Sequence, residues 1–200
     1  MSKSVIFNGR QVDLISMLDA REQRSLTQRQ LLSTNPKAAL LSATMNIPGP
    51  VKTSVELQRV FEQVLELVRA HPTLIATKPL AKVARENATG PEFYLLLDLP
   101  AKALKSAMIE IEQSHAWGRL LDLDVLYCEG SVNLTLETQS NPMINPIFIK
   151  SLSRSDLDLP SRRCLICDDD AKVCGRSRKH SVEEMQTAIT YLIKNERGER

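Results

Sequence analysis

Apolar residues recur in two periods along this chain, and the switches between them mark its elements. Val12, Ile15, Leu18, Leu26, Leu31 and Leu32 fall at helical spacing over residues 11–32, with Arg21, Glu22, Arg24, Gln28 and Arg29 on the polar side. Arg21 and Arg24 share a face, as do Arg24 and Gln28, so that face is either solvated surface or a docking site for an acidic partner. Residues 38–47 are a nearly unbroken apolar run suited to a buried strand, stopped by Pro48-Gly49-Pro50. A helix follows over 55–70, capped by Thr53 or Ser54, with Val55, Val60, Val64, Leu67 and Val68 on its core stripe. Residues 74–77 read as a short strand after His71-Pro72, and 78–90 as a polar loop. Thr89-Gly90-Pro91-Glu92 is a turn signal leading into a strand over 93–99. Helical spacing returns over 101–114 through Leu104, Ala107, Met108 and Ile111, and Gly118 ends that helix. A strand over 121–126 is closed by Glu129-Gly130. Residues 132–138 alternate as a further strand, and 140–155 read as a surface loop with 147–149 tucked in. Ser181-x-x-Glu184 is a capping box that opens a last helix over 182–194.

This order predicts an α+β fold, a mixed β-sheet with helices packed mainly on one face. Residues 1–200 form a single domain: 12–138 supply the catalytic sheet and helices, and 139–200 a loop, a Cys-containing segment and a C-terminal helix. No Gly-x-Gly-x-x-Gly follows a strand, which weighs against a doubly wound nucleotide fold.

Composition narrows the partners. A 200-residue chain that is 42% hydrophobic and 25% charged is ordinary for a soluble globular protein. A net charge of +2 and 4% aromatics argue against a nucleic-acid partner. No run of about 18 apolar residues spans a membrane. The start, Met-Ser-Lys-Ser-Val-Ile, carries no secretion signal, so the four cysteines read as reduced thiols or metal ligands in a cytoplasmic protein.

Two constellations carry candidate chemistry. In Gly118-Arg119-Leu120-Leu121-Asp122-Leu123-Asp124-Val125, a β-strand would project Asp122 and Asp124 side by side and turn Leu121, Leu123 and Val125 into the core. Adjacent carboxylates repel unless a cation intervenes, and Mg²⁺ is commonly held by one or two carboxylates together with substrate phosphates. That chemistry suits phosphoryl or nucleotidyl transfer; the plainer alternative is an edge strand with solvated aspartates. The second constellation is Cys164-x₂-Cys167, Cys174 and His180, a candidate Cys₃His zinc site whose alternative is a set of structural thiols. Arg162, Arg163, Arg176, Arg178 and Lys179 form a basic patch around it, balanced by Asp168, Asp169 and Asp170.

Taken together, these motifs resemble the apo-citrate lyase phosphoribosyl-dephospho-CoA transferase family, the holo-citrate lyase acyl carrier protein synthases. The resemblance rests on Asn46-Ile47-Pro48-Gly49-Pro50-Val51-Lys52, Thr89-Gly90-Pro91-Glu92, Ile109-Glu110-Ile111-Glu112 through His115, Gly118-Arg119-Leu120-x-Asp122-x-Asp124-Val125, and Pro160-x-Arg162-x-Cys164-Leu165-x-Cys167 with Cys174 and His180. It implies a nucleotidyltransferase-like fold and a defined reaction. The phosphoribosyl-dephospho-CoA group of 2′-(5″-triphosphoribosyl)-3′-dephospho-CoA would pass to a serine of the citrate lyase acyl carrier protein (gamma subunit), releasing pyrophosphate. Asp122 and Asp124 would hold Mg²⁺ against the triphosphate, and Gly118 and Arg119 would meet phosphate oxygens. Glu110 or Glu112 would be a third carboxylate or the base for the carrier serine, with His115 the other candidate base. Lys52, Arg85 and Arg162 would contact the triphosphate or the dephospho-CoA portion, and Arg21/Arg24 or Arg162/Arg163 would dock the carrier. The competing readings are a non-enzymatic zinc-stabilised binding module and a nucleotidyltransferase with a different acceptor.

Overall fold

In the computed structural model, which describes residues 5–129 and 148–196, the apolar run ahead of Pro48 becomes the central strand of a five-stranded sheet. The elements are α1 (Leu14–Thr34), β1 (Ala39–Met45), α2 (Val55–Ala70), α3 (Pro72–Ile75), β2 (Pro79–Asn87), β3 (Gly90–Leu97), α4 (Ala101–Ser114), β4 (Leu121–Cys128), β5 (Ile149–Leu152), α5 (Ala171–Ser177) and α6 (Val182–Glu196). The strand order is β2-β3-β1-β4-β5, and every pairing is antiparallel. The expectation of a mixed sheet is therefore corrected. The α4 crossover does join two parallel strands, β3 and β4, but β1 lies between them and pairs antiparallel with each.

Three local expectations change as well. The polar stretch expected as a loop over 78–90 is β2, whose one neighbour among the described residues is β3, so as an edge strand it needs no continuous apolar run. Residues 72–75 form a helical turn and not a strand: Pro72 stands at its first position, and His71 Nδ1 accepts from Thr73 N at 3.3 Å. Within the expected loop over 140–155, residues 149–152 form β5, which pairs with Val125–Cys128. The alternating stretch 132–138 and the loop residues 140–147 lie outside the described residues.

The two faces of the sheet are unlike. One carries Leu41, Ala43, Phe93, Leu95, Leu121, Leu123 and Val125 and is covered by α2, α4 and α6. From α2 alone, Leu57, Val60, Phe61, Val64, Leu65 and Val68 are buried there, at roughly 1.5–3 kcal/mol for each large side chain. The opposite face carries Leu40, Tyr94, Leu96 and Leu126, closed at one end by Leu32 of α1. Helices thus lie mainly on one face, as expected. The apolar residues of α1 do not form the core stripe their spacing suggests, because Leu14, Ile15, Leu18 and Leu26 are exposed. Polar ties hold this helix instead: Arg24 Nε to Glu92 Oε1 at 3.1 Å, Gln28 Nε2 to Ser42 Oγ at 3.0 Å and Arg85 Nη1 to Thr27 Oγ1 at 2.9 Å.

Candidate active site

Strand alternation sets the site. On β4, Asp122 and Asp124 share the face of Leu126, while Leu121, Leu123 and Val125 enter the core behind α4. Thr44 and Ser42 of β1 lie opposite the two aspartates in register, which sets them beside one another on a polar stretch of sheet. The outer edge of β4 matters equally. β5 pairs with Val125–Cys128, so among the described residues the outer Leu121–Asp124 edge has no strand partner. Cations take its carbonyls: Lys105 Nζ donates to Leu123 O at 3.1 Å and Arg162 Nη1 to Leu121 O at 3.3 Å.

A cavity of about 650 Å³ opens along this edge. Asp122 and Asp124 lie in its lining together with seven cationic side chains, Lys105, Arg119, Arg154, Arg162, Arg163, Lys172 and Arg178. Such an excess of positive charge focuses the field of the cleft on a polyanion. Its volume suits a ligand of cofactor size.

An ion network organises the floor. Glu112 of α4, 3% exposed, receives Arg162 Nη2 at 2.5 Å on Oε1 and Arg154 Nη1 at 3.0 Å on Oε2. Arg162 also reaches Asp122 Oδ1 at 3.4 Å, so one guanidinium bridges two carboxylates. Burial raises the Glu112 carboxyl above its usual range, and Arg162, Lys105 and Arg154 oppose the rise. Burial lowers the Lys105 ammonium, with Glu112 and Asp124 opposing. Asp124 keeps solvent contact through the cleft, yet surrounding protein desolvates it. Burial and then the charge of Asp122 push it above the usual carboxylate value, against the pull of Lys105, Arg162 and Arg24. Negative charge at Asp124 is therefore incompletely compensated by the chain.

The remaining candidates are dispersed. Arg119 is in the cavity, but its Nη2 donates to the carbonyls of Arg163 and Cys164 at 2.9 and 3.1 Å, tying the cysteine segment to the sheet. Gly118 lies under α4; a Cβ there would meet Ile111 O at 2.7 Å and Glu112 Cα at 2.9 Å, so it serves close helix packing. His115 caps the turn Ala116–Leu120, with Nδ1 accepting from Trp117 N at 3.1 Å, and stands outside the cavity lining. Glu110 is 68% exposed and pairs with His71. Lys52 donates to Ile47 O at 2.6 Å, and Arg85 lies over the Tyr94 ring on β2; neither lines the cavity. The Pro48-Gly49-Pro50 turn supplies Pro48 to the wall, and Gln186 of α6 donates to Pro48 O at 3.2 Å. Arg24 and Arg162, each half of an expected docking face, are committed to Glu92 and Glu112.

Sequence reasoning missed Lys105 and Arg154. Lys105 is 6% exposed in the middle of an amphipathic helix, and a lysine between Leu104 and Ala107 was the available signal.

The cysteine segment forms one wall. Cys164 N donates to Asp169 O at 2.7 Å and Ala171 N to Arg162 O at 2.8 Å, which closes a short hairpin ahead of α5. The ligand atoms of Cys164, Cys167, Cys174 and His180 all lie within 4.8 Å of one another, and the four residues could hold a metal ion. Burial raises the Cys164 thiol, but the backbone N–H groups of Cys167 and Ile166 and the neighbouring thiols outweigh it and bring the value down to about 7.

Fold and site define a class: an α+β protein with paired strand-borne carboxylates in a cation-lined cleft. Comparison with known proteins makes it specific. A family model described as apo-citrate lyase phosphoribosyl-dephospho-CoA transferase matches residues 12–138 and 144–196. The chain is 44% identical over 193 residues to a probable apo-citrate lyase phosphoribosyl-dephospho-CoA transferase of Streptococcus pyogenes serotype M18, covering 96% of this chain and 91% of that protein. It is 34% identical over 182 residues to the apo-citrate lyase phosphoribosyl-dephospho-CoA transferase of Escherichia coli O1:K1, covering 91% and 88%. A longer Haemophilus influenzae protein, CitXG, is 35% identical over 187 residues, which are 94% of this chain and 36% of that one. The chain belongs to the apo-citrate lyase phosphoribosyl-dephospho-CoA transferase family, and it is a transferase.

Proposed function

We propose that this protein transfers the phosphoribosyl-dephospho-CoA group of 2′-(5″-triphosphoribosyl)-3′-dephospho-CoA to a serine of the apo-citrate lyase acyl carrier protein, releasing pyrophosphate. The observation that carries the chemical part is the position of Asp122 and Asp124, side by side in a cavity lined by seven lysines and arginines. The reaction makes one phosphodiester bond at the α-phosphorus and breaks the bond from that phosphorus to the pyrophosphate. It is thus of the nucleotidyltransferase kind, and we read the sheet as nucleotidyltransferase-like. The cytoplasm is the compartment where we place it.

The donor set fits Mg²⁺: two hard carboxylates share a strand face, and the raised Asp124 carboxyl marks negative charge that a divalent cation would relieve. When bound, the ion would neutralise charge on the triphosphate. The chain does the rest. Arg119, Arg154 and Arg162 present guanidiniums to phosphate oxygens, a geometry that lysine does not reproduce. Glu112 anchors Arg154 and Arg162, so the carboxylate positions cations and does not itself face the substrate. Lys105, desolvated beside Asp124, supplies a fixed charge toward the reacting phosphate without reorganising solvent.

The test is the doubly neutralised variant D122N/D124N, assayed for pyrophosphate release and for mass gain on the apo carrier. Transfer falls by about a hundredfold or more if the pair stabilises the developing charge. Undiminished labelling overturns the reading.

A further inference from the structure

The segment between β5 and Ile189 has almost no core of its own. From residue 153 to residue 188, among the described residues, Cys164 and Cys174 alone are buried. Thirty-odd residues ordered around two thiols lack the apolar burial that offsets conformational entropy, and chains of that kind are stapled by a disulfide or a metal. All four cysteines are free thiols. Three of them converge with His180, each offering one ligand atom, within 4.8 Å. In a tetrahedral zinc site, bond lengths of about 2.0–2.3 Å put neighbouring ligand atoms roughly 3.3–3.8 Å apart, so a small contraction completes the shell. His180 Nε2 already lies 3.2 Å from Cys167 Sγ. Sulfur and imidazole donors select zinc over magnesium or calcium.

The backbone carries the consequence into the cleft. Cys164 follows Arg162 and Arg163 directly. Ala171 N holds Arg162 O, Cys164 N holds Asp169 O, and Arg119 clasps the carbonyls of Arg163 and Cys164. The Arg162 side chain then spans Glu112 and Asp122. The ligand loop and the polyanion-binding arginine are one short covalent unit.

We infer that Cys164, Cys167, Cys174 and His180 bind a structural zinc ion that fixes the cavity wall and, through it, holds Arg162 against Asp122 and Glu112. The inference rests on the proposed function only in taking the cavity's ligand to be a polyphosphate.

The full chain, expressed in zinc-containing medium and purified without chelator, is analysed for metal by elemental analysis. Inorganic pyrophosphate binding is then measured by calorimetry before and after zinc removal. About one zinc per chain is expected, with C167S and H180A each lowering occupancy. Removal weakens pyrophosphate binding by about ten- to a hundredfold, the worth of one charge-assisted arginine contact. Zinc restores it and magnesium does not. D122N keeps its zinc, which separates a folding defect from a site defect. No zinc at full thiol count, or a mass two hydrogens lighter from a disulfide, overturns the inference. So does pyrophosphate binding indifferent to zinc. Zinc-dependent pyrophosphate binding in a protein that never labels the carrier leaves this inference standing and defeats the proposed function instead.

Discussion

Lys105 Nζ donates to the carbonyl of Leu123 at 3.1 Å, one residue from Asp124 and on the strand edge that β5 does not cover. A buried ammonium there answers that carbonyl and sits in the fields of Glu112 and Asp124 at once. Lys105→Met separates these roles. Removing a desolvated charge offsets the unmet Leu123 carbonyl, so unfolding free energy changes by no more than about 1 kcal/mol. Prosthetic-group transfer falls at least about tenfold, because the fixed positive charge near the reacting phosphate is gone. Urea denaturation beside a single-turnover transfer assay checks both halves; equal losses of stability and activity would reduce Lys105 to a structural role.

Asp124 makes stability depend on pH. Its carboxyl is raised from the ordinary 3.8, so between that value and the folded one the native chain holds a proton that the unfolded chain has released. Stability therefore falls as pH rises through that window, and the deficit persists above it. Asp124→Asn removes the deficit. With no magnesium added, the variant melts at a higher temperature than the parent at pH near 7, and the advantage shrinks as pH drops toward about 4. Thermal melts across that range decide it, and a constant difference would contradict a raised Asp124.

Two glycines should respond to alanine in opposite directions. At Gly118 a Cβ would meet Ile111 O and Glu112 Cα at 2.7 and 2.9 Å, backbone atoms of α4 that cannot yield. Gly118→Ala costs about 1–3 kcal/mol by overpacking and disturbs the turn that delivers Asp122. Gly175, inside α5, has nothing within 4 Å of such an atom, and Gly175→Ala gains roughly 0.5–1 kcal/mol of helix propensity. Chemical denaturation of both variants reads the contrast.

The sequence made β4 legible because period-two alternation is local: Asp122 and Asp124 must share a face once Leu121, Leu123 and Val125 are buried. It also made the cysteine cluster legible, since ligand spacing survives whatever the tertiary arrangement. What escaped it was set by partners distant in the chain. The edge strand β2 and the short β5 have weak patterns of their own and exist through β3 and β4. α1 showed an apolar period of which its environment uses only Leu31 and Leu32, the rest of the helix being held by Arg24, Thr27 and Gln28. Glu112 read as a candidate base, yet two arginines more than forty residues away turn it into an anchor. No local pattern encodes that pairing.

Glu112 and Arg162 supply the last prediction, a coupling within that anchor. Arg162→Met leaves a carboxylate at 3% exposure with Arg154 as its one remaining ion-pair partner among the described residues, and breaking a buried pair from one side costs about 3–5 kcal/mol. Glu112→Gln by itself strands Arg154 and Arg162 less severely, since both lie partly in solvent. The double variant E112Q/R162M should recover much of the loss, because the buried carboxylate that Arg162→Met strands is then gone. A double-mutant cycle by urea denaturation therefore gives a coupling energy of about 1–3 kcal/mol. Transfer activity should not recover with stability, since Arg162 also touches Asp122 in the cavity. Additive effects on stability would show that the pair does not hold the wall, and activity regained in the double variant would remove Arg162 from the phosphate-binding set.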